Sequence, residues 1–378
     1  MRRAFLIVLD SVGVGGAPDA GSFFNGTVPD TGANTVGHVL RDVGLAVPEL
    51  ARMGLFEALR LASGVEGPRV EVDAAWGAAE EVSRGKDTPS GHWELTGLPV
   101  PWEWTTFPDR RPCLPPEVAA EVIRLSGAGG ILGDRHASGT AIIEEEGEAH
   151  LRTGWPICYT SVDSVLQVAA HEEAFGLGRL MALCEGLAPM LHAMRVGRVI
   201  ARPFTGGPGA FRRTERRRDF AIPPPGETLL DRAHGAGRRV HAVGKIGDIF
   251  AHRGVSTEVK GRDEALMGHL YRLAGEAGEG DLVVANLVEF DSEWGHRRDA
   301  RGYARHLEWF DGELGRLRAA MGEGDLLVVT ADHGNDPTWV GTDHTRERVP
   351  VLVHGMRGGL GVMPFTEVGA MVGRHLGL

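Results

Sequence analysis

Lysine is almost missing from this chain. Among 378 residues only Lys86, Lys245 and Lys260 occur, Gln167 is the one glutamine, and asparagine is nearly as scarce, so each of these residues calls for a reason. Forty Lys and Arg against 51 Asp and Glu leave a net charge of −11. That is the wrong sign for a surface that binds nucleic acid by neutralising phosphates. The three cysteines, Cys113, Cys158 and Cys184, are odd in number and lack C-x-x-C spacing. This excludes a disulfide scaffold and predicts buried free thiols in a reducing compartment. The apolar run that follows Arg2 and Arg3 ends at Asp10, short of a signal-sequence core. No other run approaches the length of a membrane span. The sequence predicts a cytoplasmic protein with neither a membrane nor a nucleic-acid partner.

What is present is ordinary globular material: 42% hydrophobic and 24% charged residues, enough for a packed core in more than one domain. Glycine is abundant at 55 residues, but it is scattered without a period and reads as turns and helix ends. Four strand-length apolar runs, at 4–9, 282–288, 326–330 and 350–353, each stop abruptly in polar residues. Continuous Val/Ile/Leu runs without alternation fit strands covered on both faces, hence a parallel sheet between helices. Residues 301–321 carry Leu307, Phe310, Leu314 and Leu317 at helical spacing, and a helix at 227–234 leads into a further strand at 240–243. The segment from Leu98 to Glu215 differs, opening rich in proline and closing in a Gly/Pro stretch and an arginine run. The expected fold is therefore α/β, a three-layer sandwich with a mostly parallel central sheet plus a smaller inserted α+β cap domain. Residues 1–97 and 216–378 would form a discontinuous core and 98–215 the cap.

Acidic residues stand at three strand ends: Asp10, Asp291, and Asp332 with His333 beside it. In an open parallel sheet the carboxyl ends of the strands share one edge, where ligands bind. His296 follows Asp291 by five residues, and Asp343-His344 follows Asp332-His333 by eleven. One Asp after a strand is usually a helix cap. Asp10, Asp291, His296, Asp332, His333 and His344 together are ligands enough for two metals. Mixed carboxylate and imidazole suit Mn²⁺ or Zn²⁺. Two clustered metals commonly serve phosphoryl transfer, so a nucleophile is needed. Thr88 in Lys86-Asp87-Thr88-Pro89-Ser90-Gly91-His92 is the best candidate, read as an N-cap with proline at the first helical position, and Ser90 is weaker. Gly13-Val14-Gly15-Gly16-Ala17-Pro18 fails as a dinucleotide fingerprint because Pro18 replaces the last glycine. Arg198, Arg202, the arginines of 212–218 and Lys245 are candidate phosphate holders. The polar turn from Tyr159 to Ser164 could meet a sugar's hydroxyls.

Seven motifs spanning nearly the whole chain resemble the prokaryotic phosphopentomutases of the alkaline phosphatase superfamily: FLIVLDSVGVGG (5–16), KDTPSGHWE (86–94), YTSVD (159–163), RVIARPF (198–204), GKIGDIF (244–250), EFDSEWGHRRD (289–299) and TADHGNDPTWVGTDHTR (330–346). The resemblance implies an isomerase that interconverts ribose or deoxyribose 1-phosphate and 5-phosphate. It further implies two Mn²⁺ ions, a phosphothreonine at Thr88, a pentose 1,5-bisphosphate intermediate and a sugar bisphosphate as activator. Asp10, Asp332 and His333 would bind one metal and Asp291, His296 and His344 the other. Ser161 and Asp163 would contact the sugar, and Arg198, Arg213 and Lys245 the distal phosphate of the pentose phosphate substrate. The alternatives are a cofactor-independent phosphoglycerate mutase or phosphomonoesterase of the same superfamily, and a binding protein for metal and sugar phosphate without catalysis. Thr88-Pro89 and the Tyr159 turn favour the pentose enzyme.

Overall fold

Every residue of Ala4–Leu9 is buried, and the same holds for Val240–Val243, Leu282–Leu287 and Leu326–Thr330. In the computed structural model, which describes residues 2–378, these four strands lie in the interior of an eight-stranded sheet. Thr257–Val259, Val240–Val243, Leu282–Leu287, Ala4–Leu9 and Leu326–Thr330 lie side by side in that order, all parallel. Two groups of helices cover the sheet. Thr88–Leu95 and Leu229–Gly235 pack on Phe365–Leu376, while Thr35–Asp42, Pro48–Arg52 and Asp263–Glu276 gather on Ala300–Ala320. The fold is thus a three-layer α/β sandwich with a mostly parallel sheet. Covered on both sides, each Val, Leu or Ile of a central strand contributes roughly 1.5–3 kcal/mol of transfer free energy.

One apolar run departs from the parallel expectation. Val349–His354 runs antiparallel to both of its neighbours, Leu326–Thr330 and Ala75–Glu80. An apolar run reports that both faces are buried and carries nothing about direction. Ala75–Glu80 and its parallel neighbour Gly358–Pro364 lack β-branched runs, and their Ala and Gly content hides them from such a reading.

The chain divides into two compact units, Met1–Pro101 with Pro224–Leu378, and Trp102–Pro223. The boundaries lie later than 98 and 215. Val100 N–H donates to Ser83 Oγ at 2.9 Å and so stays with the first unit. Arg212–Arg213 and Arg218–Ala221 both pair antiparallel with Arg198–Thr205, which draws the arginine run into the second unit's sheet. That sheet runs Arg218–Ala221, Arg198–Thr205, Val165–His171, Ile157–Thr160, Leu132–His136. A core containing Val118, Val122, Leu183, Leu187 and Leu191 joins it to the helices Pro116–Ser126 and Leu177–Ala193. Cys113, Cys158 and Cys184 are free and buried in this core. The 22 residues Glu172–Ala193 are long and apolar enough to cross a membrane, which corrects the expectation that no run approaches that length. Their apolarity has a local use, since Leu180, Leu183, Leu187 and Leu191 are buried against the unit's own sheet.

Candidate active site

The register of the central strands levels the candidate ligands. Val8 pairs with Thr330 on adjacent parallel strands, so Asp10 and Asp332, each two residues further on, emerge side by side. On the other flank Leu9 pairs with Leu287, after which the chain makes a π-helical turn, Phe290–Gly295, that carries Asp291 and ends at His296. His344 arrives from a loop closed by mutual backbone hydrogen bonds between Gly334 and Thr345, which lays its ring 4.1 Å from that of His333.

All six expected ligands meet in the first unit. Asp10, Asp332 and His333 each offer one ligand atom within 4.8 Å of the others, and so do Asp291, His333 and His344. His333 Nε2 lies 3.5 Å from Asp10 Oδ1 and 3.4 Å from Asp332 Oδ2. Asp291 meets His344 Nε2 at 3.5 Å and His296 Nε2 at 3.0 Å. Burial, with the Asp332 and Asp291 charges beside it, holds the Asp10 carboxyl well above the usual range. Burial opposes ionisation of Asp291 as well, but His344 and His296 outweigh it and hold that carboxyl well below the usual range. Asp332 is also desolvated, yet His333, His92 and the Ser11 N–H keep it below the ordinary value. Burial pulls His333 down to about 4, so its imidazole is neutral near pH 7.

These residues fit a divalent cation. Asp10 Oδ1 is buried without a hydrogen-bond partner, an arrangement that is costly unless a cation completes it. A neutral imidazole and carboxylates among buried neighbours form the mixed nitrogen and oxygen donor set of Mn²⁺ or Zn²⁺.

Thr88 opens the helix Thr88–Leu95 beside this cluster, its Oγ1 3.4 Å from His333 Nε2. Asp87, rather than Thr88, is the N-cap: its carboxylate accepts from Ser90 N–H at 3.1 Å and from Ser90 Oγ at 2.9 Å. Aspartate caps at least as well as threonine, and its doing so leaves the threonine hydroxyl out of the capping. Gly91 allows the helix to come this close. A Cβ there would stand 2.1 Å from the Asp332 carbonyl oxygen.

The chain is 54% identical to a phosphopentomutase of Methylobacterium sp. (strain 4-46), covering all of this chain and 98% of the relative. A phosphopentomutase of Rhizobium leguminosarum bv. trifolii is 51% identical at the same coverage. The chain belongs to the phosphopentomutase family. It is accordingly an enzyme of the isomerase class. Residues 240–365 match the metalloenzyme superfamily, a span that holds Lys245 and every candidate ligand except Asp10. Among solved structures, a protein from Pyrococcus horikoshii superposes with a TM-score of 0.50 at 13% identity, covering all of this chain and 97% of that one, and shares the fold.

The substrate candidates of this phosphopentomutase-family chain are spread over both units. Lys245 follows the strand Val240–Val243 and, after burial and the carboxylates, is among the charges that act on Asp10. Ser161 and Asp163 occupy the turn between Ile157–Thr160 and Val165–His171, with Asp163 N–H donating to Ser161 Oγ at 3.4 Å. Arg198 lies 3.7 Å from Asp163. Arg213 pairs with Phe204, six residues along the strand from Arg198, and is exposed. Arg202 shares the Arg198 face of its strand and donates to Gln167 Oε1 at 2.9 Å; the same oxygen accepts from Tyr159 OH at 3.1 Å, which accounts for the lone glutamine.

Several supporting residues escaped the reading of the sequence. Asn286 Nδ2 donates to Asp10 Oδ2 at 2.8 Å, Asn335 Nδ2 to Asp291 Oδ1 at 2.7 Å, and Ser11 N–H to Asp332 Oδ1 at 3.1 Å. His92 Nδ1 lies 3.1 Å from Asp332 Oδ2 and 2.9 Å from the Thr88 carbonyl. One signal was available, because Asn25, Asn34, Asn286 and Asn335 are the chain's only asparagines and all four are buried.

Proposed function

We propose that this enzyme interconverts the 1-phosphate and 5-phosphate of ribose or deoxyribose through a phosphothreonine at Thr88 and a pentose 1,5-bisphosphate. The observation that carries the reading is the Thr88 hydroxyl, outside the helix cap and 3.4 Å from His333 in a buried cluster of carboxylates and imidazoles. The phosphopentomutase relatives support the choice of a pentose phosphate as substrate.

Asp10, Asp332 and His333 would hold one Mn²⁺, and Asp291, His296 and His344 a second. When bound, the ions supply neutralisation of the charge on the phosphoryl group and on the threonine oxygen. The Thr88 phosphate breaks its bond to Oγ1 as the free sugar hydroxyl bonds to phosphorus, and the hydroxyl proton ends on Thr88. The resulting bisphosphate turns over and returns its other phosphate to Thr88. A trace of sugar bisphosphate therefore serves as activator by loading Thr88. The N-terminus of the Thr88–Leu95 helix favours the phosphate through its dipole. Ser161 and Asp163 bind the sugar hydroxyls, and Arg198, Arg213 and Lys245 hold the phosphate that stays in place.

A phosphorus NMR time course on ribose 5-phosphate tests this, with Mn²⁺, a trace of sugar bisphosphate and a chelated control. Metal-dependent appearance of ribose 1-phosphate is expected. Release of inorganic phosphate alone would make the protein a phosphatase, and no conversion would overturn the proposal.

A further inference from the structure

Arg298 lies outside the ligand set, yet it touches the support of three of its members. Its backbone is left-handed, with φ +56°, one of six such non-glycine residues among those described. That turn directs the guanidinium back into the site. Nε donates to the Gly341 carbonyl at 2.7 Å, Nη1 to Gly295 at 2.8 Å and to Asn335 Oδ1, and Nη2 to Asp343 at 2.8 Å.

Each contact has a consequence for a different ligand. By claiming Asn335 Oδ1, Arg298 turns the amide so that its Nδ2 donates to Asp291 Oδ1 at 2.7 Å. By holding the carbonyls of Gly341 and Asp343, it fixes the Thr342 carbonyl between them, which accepts from His296 Nδ1 at 2.6 Å. With its proton on Nδ1, His296 presents the Nε2 lone pair to the cluster. The same grip anchors the residue immediately before His344. Gly295 is part of the device, since a Cβ there would stand 2.8 Å from Asn335 Nδ2.

We infer that Arg298 is a positioning residue that sets the orientation of Asp291, His296 and His344 together, and so governs affinity at one of the two metal positions. The inference rests on the two-ion reading above. It also predicts a sign. A guanidinium acting through charge alone would repel a cation, so its removal would tighten binding, whereas loss of a clamp weakens it.

The test is calorimetric titration of the metal-free full chain with Mn²⁺, in the wild type, Arg298→Met and Arg298→Lys, with urea unfolding of each metal-free protein as a check of folding. The wild type is expected to bind two ions. Arg298→Met should bind one of them 10–100-fold more weakly and the other unchanged. Arg298→Lys, which keeps the charge but cannot span these acceptors, should follow it, and it serves as the test if Arg298→Met does not fold. Unaltered or tighter binding of both ions in a folded variant overturns the clamp. Fewer than two ions in the wild type fails the two-ion reading, and the clamp with it.

Discussion

Glu347 is buried among groups that tolerate either of its protonation states. Its Oε2 accepts from the N–H groups of Gly15 at 3.1 Å and Thr35 at 2.9 Å, while Oε1 faces the hydroxyls of Thr35 and Thr345. No Cβ fits at Gly13, where it would lie 2.3 Å from Glu347 Oε2, so the glycines of this loop serve a carboxyl rather than a dinucleotide. Burial, and then the Asp336 charge, push this carboxyl up to about 7. In the unfolded chain a glutamate titrates near 4.3. Between those values the native state holds a proton that the unfolded state has released, so stability falls as pH rises through the window and is level above it. The shift corresponds to roughly 3.5–4 kcal/mol in full, of which part is already expressed at pH 5. Glu347→Gln can keep the same contacts, its oxygen toward the two N–H groups and its amide toward the hydroxyls. Urea unfolding at pH 5 and pH 8 should therefore show the variant gaining on the wild type by about 2–3 kcal/mol as pH rises. A difference that does not change with pH would mean that Glu347 is ionised throughout.

Among the elements, the helix Thr88–Leu95 shows how packing can reverse a propensity. Replacing a glycine inside a helix by alanine ordinarily stabilises by about 0.5–1 kcal/mol. At Gly91 the added carbon would meet the Asp332 carbonyl oxygen at 2.1 Å, a backbone atom that cannot swing away. Gly91→Ala is accordingly expected to destabilise by about 1–3 kcal/mol and to lift Thr88 from His333, lowering mutase turnover by more than the unfolded fraction explains. Wild-type turnover and stability together would show that the helix has room to slide. The same elements show what a sequence discloses. The central strands were legible because burial on both faces forces uninterrupted Val, Ile and Leu, and the six candidate ligands stood out because Asp and His residues in and just after strand ends are the residue types a metal site would demand. Ala75–Glu80 and Gly358–Pro364 were not, since they are built from small residues, and neither was the reversed direction of Val349–His354. The N-cap was misread because Asp87 and Thr88 are adjacent and both suited to it. Asn286, Asn335 and Arg298 act on other protein groups, which imposes no spacing on the chain; only the rarity of asparagine hinted at two of them.

At the scale of the whole molecule, candidate ligands from Asp10 to His344 meet although the second unit, Trp102–Pro223, interrupts the chain between them. The composition changes near residues 98 and 215 lie short of the ends of that unit, at the far end because the arginine run forms strands of its sheet. Each unit has its own sheet, and the second has its own hydrophobic cores. A cation bound by the first unit therefore stabilises that unit by mass action, about 2.7 kcal/mol at a hundredfold excess over Kd. The second unit contributes none of the six candidate ligands and should gain nothing directly. Hydrogen exchange with and without a chelator is expected to separate the two. Chelation should speed exchange in residues 2–101 and 224–378, most of all at 290–298 and 333–346, where the π-helical turn and the His344 loop lose the charge that holds their carboxylates and imidazoles together. Peptides from 102–223 should be unchanged. Equal acceleration there would mean that the units unfold as one cooperative body, and that the ions act on the stability of the entire chain rather than on the unit that supplies their ligands.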